Sequence, residues 1–341
     1  MILVTGGTGL VGSHLLCHLL QKEQTVRAVC REGSSTEQVR EVFTFYDDAF
    51  AENDAGALFS RIEWFPANML DPWSMNEAME GVEKVYHCAA NVSLDPSERR
   101  DTIHNNIDIT ATIVNLCLSH NVKKLCHVSS VAALGGRYDG NPATEQDLWR
   151  PSKKRNAYSI SKFHSEMEVW RGMAEGLNAV IVNPSVILGP GNWHRGSAAF
   201  FTRIQKGMRY YTEGMTGFVD VRDVCRCMIA LMESDISGDR FIINSENLYY
   251  RDLFNMIADV LGRPRLDKHA TKALVEAGWR LEWLRSRLTF GKPLLTRDTA
   301  RSGRSISRFS NQKIKKTLGH EFIPIEETVS WTAGNLSKSL Q

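Results

Sequence analysis

The chain opens with a strand-forming run that stops at a glycine-rich turn. Residues 2–4 are apolar and favour a strand, and the leucines of residues 15–20 recur at helical spacing. Between these segments, glycines stand three residues apart at Gly6, Gly9 and Gly12. A strand, a tight turn and a helix in this order form the first half of a βαβ unit, so we expect a sheet with parallel strands.

Each glycine has a separate use in a turn that binds a dinucleotide. Gly6 can make the sharp turn, Gly9 lets a pyrophosphate approach the backbone, and Gly12 lets the helix pack closely on the strand. The free N–H groups at the helix N-terminus attract phosphate. We therefore predict a dinucleotide site along this turn, at Gly6, Thr8, Gly9, Leu10, Val11 and Gly12.

Length and composition narrow the class of protein. The 341 residues can form a sizeable core and more than one lobe. The 41 Lys and Arg against 39 Asp and Glu give a net charge of +2, so nucleic-acid binding is not expected. The seven cysteines are scattered among apolar residues and are predicted to be core residues, with no metal site at the closely spaced Cys225 and Cys227. We expect no signal peptide or membrane span, and hence a cytoplasmic location.

Strand-like and helical segments alternate from the first residue to about residue 185. After the first strand, the predicted strands are residues 25–30, 62–66, 84–87, 124–128 and 179–182. This alternation predicts an α/β fold, a Rossmann-type doubly wound parallel sheet with a smaller, mostly C-terminal substrate lobe. We predict a dinucleotide-binding domain of residues 1–184 with 216–241 and a substrate-binding lobe of residues 185–215 with 242–341. Residues 36–60 are polar and acidic with helical stretches, and we expect a surface excursion there.

The end of the second strand indicates which dinucleotide binds. An acidic residue at this position accepts hydrogen bonds from the ribose of NAD, whereas an arginine suits the 2′-phosphate of NADP. Arg31 comes first here, followed by Glu32 and Ser34. Arg31 and Ser34 favour NADP, and the alternative is NAD with Glu32 on the ribose and Arg31 in solvent.

Later strand ends supply further cofactor contacts. Asn68 and Met69 follow the third strand, where the adenine edge would lie. Ala89 and Ala90 follow the fourth strand, and such small residues let the backbone approach the cofactor.

Tyr158 and Lys162 are four residues apart and share one face of a predicted helix. A tyrosine with a pKa of about 10 is a poor base near neutrality. A neighbouring ammonium stabilises the phenolate and lowers that pKa. The tyrosine can then exchange a proton with a substrate hydroxyl while a nicotinamide moves hydride, and Ser130 at a strand end can donate to the same oxygen. An exposed helix face would explain the pair alone, but its combination with Ser130 and the glycine turn favours catalysis.

Together these motifs resemble the extended short-chain dehydrogenase/reductase superfamily, also called the NAD-dependent epimerase/dehydratase family. The matching segments are Thr5-Gly-Gly-Thr-Gly-Leu-Val-Gly12, His87-Cys-Ala-Ala90, Asn105-Asn-Ile-Asp108, Val128-Ser-Ser130, Tyr158-x-x-x-Lys162, Asn183-Pro-Ser185 with Gly189-Pro190, and Phe218-Val-Asp-Val-Arg-Asp-Val224. The resemblance implies Tyr158 as the acid/base, Lys162 as its activator and a ribose ligand, and Ser130 as the carbonyl-polarising residue. It further implies that Asn106 holds a helix open around a proton-relay water and that Pro184 contacts the cofactor. Asn68 replaces the family's usual adenine-binding aspartate.

The resemblance favours one branch of the family. Val131 and Ala132 follow Ser130 where sugar-nucleotide dehydratases carry an acidic pair, and Val186 replaces an asparagine typical of the epimerases. The branch similar to dihydroflavonol reductases and 3β-hydroxysteroid dehydrogenases matches at Asn183-Pro-Ser-Val-Ile-Leu-Gly-Pro190, Pro293-Leu-Leu-Thr-Arg297, Phe309-Ser-Asn-Gln-Lys313 and Leu318-Gly319. We expect an NADP(H)-dependent oxidoreductase acting on a small-molecule carbonyl or alcohol. The alternatives are an NAD-dependent sugar-nucleotide epimerase with the same triad and a non-catalytic cofactor sensor.

The C-terminal part of the chain is strongly basic, with 15 Lys or Arg against 4 Asp or Glu in residues 263–316. It also contains a set of apolar and aromatic residues: Leu274, Val275, Trp279, Leu281, Trp283, Leu284 and Leu288. The interpretation we favour is a substrate-lobe helix that caps the cleft and keeps a solvated basic side. The alternatives are contact with an anionic membrane surface and an anionic substrate. A homodimer is expected only by analogy with the family, which often pairs through a helical bundle.

Overall fold

The computed structural model describes residues 1–23, 25–46, 55–92, 98–137, 139–152, 155–289 and 296–339. The side chains of residues 288 and 289 are not described. The side chain of Leu288 and residues 293–295 of the tail segment therefore lie outside the described part of the chain.

The strands are short and most of them are apolar. In chain order they are β1 (Ile2–Thr5), β2 (Val26–Cys30), β3 (Ile62–Pro66), β4 (Lys84–His87), β5 (Lys124–Val128), β6 (Ala179–Pro184), β7 (Val186–Leu188), β8 (Tyr210–Tyr211), β9 (Met215–Asp220), β10 (Asp239–Ile243), β11 (Glu246–Tyr249) and β12 (Lys268–His269).

Most helices lie between consecutive strands. In chain order they are α1 (Leu10–Leu20), α2 (Glu37–Thr44), α3 (Ala55–Ser60), α4 (Pro72–Ala78), α5 (Arg99–Ser119), α6 (Ala157–Ala174), α7 (Ala198–Gln205), α8 (Val221–Glu233), α9 (Tyr250–Val260), α10 (Lys272–Thr289), α11 (Arg297–Ser302), α12 (Gln312–Leu318) and α13 (Ile325–Ser339). In the part of the chain that is described, no helix combines the length and the apolar character needed to cross a membrane.

A seven-stranded parallel sheet forms the centre of the molecule, in the order β10-β6-β5-β4-β1-β2-β3. The chain runs outward from β1 through β2 to β3 and then returns to β4 on the other side of β1. Ligands of such sheets bind beyond the carboxyl ends of the strands, at the point where the strand order reverses. The predicted α/β doubly wound architecture is confirmed.

The two faces of this sheet are covered by different helices, because neighbouring strand residues point to opposite sides. On one face, Val4 and Tyr86 pack in a core with Leu16 of α1 and Met228 of α8. On the other face, the apolar side chains of β1, β4 and β5 pack with α4, α5 and α6; they include Leu3, Val85, Leu125, Met75, Ile113 and Val169. The sheet is therefore buried on both faces.

A second, smaller core lies around the short sheet β11-β9-β7. It contains Leu188, Phe201, Phe218, Leu253, Ile257 and Val329. The pairing of β7 with β9 is parallel, and the pairing of β9 with β11 is antiparallel. The division of the chain into residues 1–184 with 216–241 and residues 185–215 with 242–341 stays a prediction.

The expectation of a surface excursion at residues 36–60 is wrong for the described part of that segment. Val42 and Phe43 of α2 and Leu58 of α3 are 1 or 2% exposed and belong to the same core cluster as α1. The polar residues that suggested a surface segment occupy the outer side of α2, so that helix is amphipathic.

Candidate active site

The turn between β1 and α1 has a shape that requires glycine at two positions. Gly6 has a φ of +70°, and a Cβ there would lie 2.6 Å from the backbone nitrogen of Ala89. A Cβ on Gly12 would lie 2.2 Å from the carbonyl oxygen of Gly6. The Gly9 N–H donates to that same carbonyl at 2.9 Å and closes the turn. The first strand, the helix and the end of β4 are therefore in close backbone contact.

The open side of this turn is accessible. Thr8 and Gly9 are exposed, Leu10 and Val11 are half-buried, and Gly9 is the residue that precedes α1. The first-turn N–H groups of a helix attract phosphate when no side chain accepts their hydrogen bonds. The residue that precedes α1 is glycine, and no side-chain cap is present there among the described residues. The turn thus fits the pyrophosphate of a dinucleotide.

The other predicted cofactor residues follow the carboxyl ends of neighbouring strands. Arg31 and Ser34 lie after β2 and are exposed, with the Ser34 N–H donating to the Arg31 carbonyl at 3.0 Å. Asn68 after β3 is exposed and Met69 is half-buried. In the same way, buried Ala89 and half-buried Ala90 follow β4, and buried Pro184 ends β6. Because the strands are parallel, all these positions lie on the same side of the sheet, at the carboxyl ends of its strands.

Helix α6 begins where its first turn can meet the end of β5. The Asn156 side chain accepts from the Ser159 N–H at 2.8 Å and fixes the start of the helix. Tyr158 follows in the first turn, and its phenol lies near enough to the Ser130 side chain for the two to interact. One turn later, Lys162 is 4% exposed and its Nζ donates to the Val128 carbonyl at 2.8 Å. The structure therefore brings Ser130, Tyr158 and Lys162 together at the C-terminal end of β5.

The neighbouring Ser129 points to a different partner. Its hydroxyl donates to Oε2 of the buried Glu166 at 2.6 Å. Ser130 instead begins a short 3₁₀ turn, where its Oγ accepts from the Ala132 N–H at 3.1 Å. Of the two adjacent serines, Ser130 is the one in contact with the Tyr158 phenol.

Burial changes the pKa of both α6 residues. It lowers the pKa of Lys162 to about 8, and the nearby Cys88 and Glu166 only partly oppose this effect. Burial raises the pKa of the Tyr158 phenol, and the interaction with the Ser130 hydroxyl acts in the opposite direction. The expected lowering of the phenol pKa by Lys162 is thus not found in this arrangement, where the ammonium donates to a backbone carbonyl. The phenol is protonated at neutral pH and can donate its proton.

Asn106 connects three segments around the site. Its Nδ2 donates to the Asn91 carbonyl at 2.9 Å and to the Ser161 hydroxyl at 3.1 Å, and its Oδ1 accepts from the Asn91 N–H at 2.6 Å. Helix α5 runs without interruption through this residue, and the Asn106 carbonyl accepts from the Thr110 hydroxyl at 2.8 Å. The side chain therefore ties the segment after β4 to α6.

Glu166 is an important residue that the sequence did not reveal. It is fully buried one turn beyond Lys162, and its carboxylate accepts from Ser129 and from Asn183 Nδ2 at 2.7 Å. It also forms an ion pair with Arg240, with Nη1 2.8 Å from Oε1. This carboxylate fixes the ends of β5 and β6 behind Ser130. An acidic residue on the same helix face as Tyr158 and Lys162 was the available signal.

A second unexpected contact joins α1 to the segment after β7. His14 Nε2 lies 2.8 Å from the Pro190 carbonyl, and Nδ1 lies 2.5 Å from the Tyr46 hydroxyl. Burial lowers the pKa of His14 to about 4, so the ring is neutral at physiological pH. Nε2–H therefore donates to Pro190, and Nδ1 accepts from Tyr46. This contact places the segment after β7 beside the helix that follows the glycine turn.

Comparison with known proteins identifies the family. The sequence profile of the NAD dependent epimerase/dehydratase family matches residues 2–244. The chain belongs to this family. It is 28% identical over 269 residues to the putative dihydroflavonol 4-reductase of Synechocystis sp., which covers 76% of this chain and 72% of that protein.

Solved structures agree with the family assignment. The crystal structure of gox2253 has a TM-score of 0.79 and 26% identity, over 99% of this chain and 98% of that one. The UDP-glucose 4-epimerase of Thermotoga maritima, solved with UDP-glucose, has a TM-score of 0.76 and 21% identity, over 100% of this chain and 99% of that one. The protein is an NAD(P)-dependent oxidoreductase of the extended short-chain dehydrogenase/reductase type.

Proposed function

We propose that this family member is an NADP(H)-dependent reductase that transfers hydride between the nicotinamide and a carbonyl or hydroxyl compound, as in dihydroflavonol reductases. The observation that carries the proposal is the approach of the Tyr158 phenol to the Ser130 side chain, with the buried Lys162 one turn along α6. These groups lie at the carboxyl ends of the parallel strands, and the glycine turn after β1 lies at the same end. The similarity to the Synechocystis protein supports reduction over epimerisation.

The residues have distinct parts in the proposed reaction. A nicotinamide cofactor, when bound, would supply the hydride that the carbonyl carbon of the substrate accepts. Tyr158 donates its phenol proton to the carbonyl oxygen, so that one hydride and one proton convert the carbonyl to an alcohol. Ser130 donates a hydrogen bond to the same oxygen and stabilises its developing negative charge. Lys162 would hold the ribose of the cofactor, and Asn106 positions α6 through Ser161.

The variant Tyr158→Phe tests the mechanism, because it keeps the ring and removes the proton. We expect NADPH oxidation with a panel of ketones and aldehydes to fall roughly 10²–10⁴-fold while NADPH binding is retained. Tyr249→Phe is the matched control, since Tyr249 is exposed at the start of α9. Turnover that is unchanged in Tyr158→Phe would reject the proposed role.

The preference for NADP rests on Arg31 and Ser34, which are exposed at the end of β2 beside Gly33, whose φ is +71°. A flexible guanidinium at this position can pair with a 2′-phosphate, which NAD lacks. We expect Arg31→Ala to weaken NADPH binding at least 10-fold and to leave NADH binding nearly unchanged. Glu32→Ala is the control, and an equal loss of binding for both cofactors would contradict the assignment of NADP.

The second candidate is an NAD-dependent sugar-nucleotide epimerase that uses the same three residues. It is favoured by the shared fold with the Thermotoga maritima UDP-glucose 4-epimerase over the whole chain. An epimerase oxidises and re-reduces its substrate, so it shows no net consumption of reduced cofactor. Stoichiometric oxidation of NADPH by a carbonyl substrate separates the two candidates.

A further inference from the structure

Helix α10 presents a stripe of apolar side chains to solvent. Leu274, Ala277, Leu281 and Leu284 recur at intervals of three and four residues, so they share one face. The side chains of the three leucines are exposed to 46%, 67% and 49%. This exposure differs from the favoured sequence interpretation, in which the apolar residues cap the cleft.

The opposite face of α10 is the one that packs on the protein. Val275 is 8% exposed, and Trp279, Glu282 and Ser286 on the same side are less exposed than the stripe. The helix contacts α11. The leucine stripe is therefore not the surface that holds the helix in place.

Arginines lie on both sides of the stripe. Helical geometry places Arg280 and Arg287 along one border and Arg285 along the other. Arg280 pairs with Glu276 at 2.6 Å, Arg285 pairs with Glu282 at 2.5 Å, and Arg287 lies 4.6 Å from the centre of the Trp283 ring. The three side chains remain exposed. Arginine stems can lie along apolar surface while their guanidinium groups reach phosphate oxygens.

Basic and acidic residues are distributed unevenly between residues 263–316 and the rest of the chain. Residues 263–316 contain 15 basic and 4 acidic residues, and the full chain contains 41 and 39. The rest of the chain therefore has 26 basic and 35 acidic residues. An anionic surface would attract the segment that contains α10 and repel the remainder, which would orient the molecule with α10 toward that surface.

A second copy of this chain fits the stripe less well. Apolar residues at the spacing of the stripe also occur where two helices pair. The residues beside the paired faces then decide which helix binds as the partner. The charged residues in those positions are Arg280, Arg285 and Arg287, so two copies would bring like charges together. The same positions are complementary to anionic headgroups.

We propose that the outer face of α10 docks in the plane of a lipid bilayer with anionic headgroups, with the leucines entering the headgroup boundary and the arginines binding phosphates. The leucines supply apolar area and the arginines supply the preference for anionic lipid. The proposal does not depend on the identity of the substrate, since it involves none of the residues Ser130, Tyr158 and Lys162.

Vesicle flotation of the full chain tests the proposal. The protein is mixed at low salt with phosphatidylcholine vesicles that either contain or lack phosphatidylglycerol. We expect binding to the anionic vesicles that weakens at high salt. The double variant Arg280→Gln/Arg287→Gln is expected to weaken binding roughly 30-fold, at about five-fold for each charge. The double variant Leu281→Ser/Leu284→Ser is expected to weaken it at least about 10-fold.

Matched controls change similar residues elsewhere. Val260→Ser alters an aliphatic side chain that is 45% exposed on α9, and Lys22→Gln/Lys123→Gln removes two exposed positive charges. Cofactor binding, measured in every variant, reports whether the fold is intact. Absence of flotation with anionic vesicles, or equal binding by the stripe variants and their controls, overturns the proposal. Concentration-dependent dimers that the leucine variant abolishes, without lipid binding, would assign the stripe to a second copy and also overturn it.

Discussion

The buried ammonium of Lys162 allows a prediction with a defined magnitude. Its pKa is about 8 in the folded chain against an ordinary value of 10.5, because burial disfavours the charged form. At about 1.4 kcal/mol for each pH unit, this difference corresponds to about 3 kcal/mol. The protein loses this much stability at neutral pH by holding a charged lysine at the site. Lys162→Met removes the titrating group and should abolish the associated pH dependence.

The sign follows from the protons bound by each state. Below pH 8, Lys162 is charged in both states and the full destabilisation is present. Between about pH 8 and 10.5, the folded chain releases its proton while the unfolded chain keeps it, so stability rises with pH. The free energy of unfolding of the natural sequence, minus that of Lys162→Met, should therefore rise by about 3 kcal/mol across this range.

Urea unfolding followed by tryptophan fluorescence measures this difference. The cofactor-free protein is used with reductant present, because all seven cysteines are free thiols. Lys22→Met is the control, since that side chain is 65% exposed, and its difference from the natural sequence should stay nearly constant with pH. A Lys162→Met difference that is equally flat would show that the ammonium is not destabilised by burial, and would refute the reasoning.

Three further predictions concern the surroundings of the site. Gly12→Ala should destabilise the fold by about 1–3 kcal/mol, because the new Cβ would lie 2.2 Å from the carbonyl oxygen of Gly6. It should also weaken NADPH binding in a fluorescence titration, and an unchanged affinity for NADPH would contradict this prediction. Arg240→Met should lower the free energy of unfolding in urea by about 3–5 kcal/mol, because it leaves the Glu166 charge uncompensated. Adding Glu166→Gln should restore part of this stability. A double variant that is no more stable than Arg240→Met would contradict the coupling of the two residues. Ser130→Ala should lower kcat roughly 10²–10³-fold, because Ser130 is proposed to contact the substrate oxygen. Ser129→Ala should mainly lower the free energy of unfolding, by about 1.5–3 kcal/mol, because Ser129 binds Glu166. The opposite pattern would assign catalysis to Ser129 and the structural role to Ser130.

The sheet could be predicted from the sequence because its information is local. The first six strands are short, mostly apolar runs, and helical patterns separate most of them. The position of β10 beside β6 was not predictable, because pairing of residues 239–243 with residues 180–184 depends on contacts between distant parts of the chain. The burial of α2 was missed because its outer polar residues dominate the composition of residues 36–60.

The candidate site shows the same limit. Tyr158 and Lys162 are recognisable by spacing alone, and Ser130 by its place at a strand end. The Glu166–Arg240 ion pair joins residues 74 positions apart, and no local pattern indicates it. The direction of the Tyr158 pKa change was wrong in the sequence analysis because spacing gives proximity to Lys162 but not the degree of burial.

The place of β10 has a consequence for synthesis on the ribosome. This strand covers the outer edge of β6, yet residues 185–238 separate the two along the chain. A nascent chain that has just released β6 therefore carries an open parallel edge until this intervening stretch has also been translated. Fragments that stop before residue 239 should bind chaperones and aggregate, whereas fragments that extend beyond residue 243 should not expose that edge.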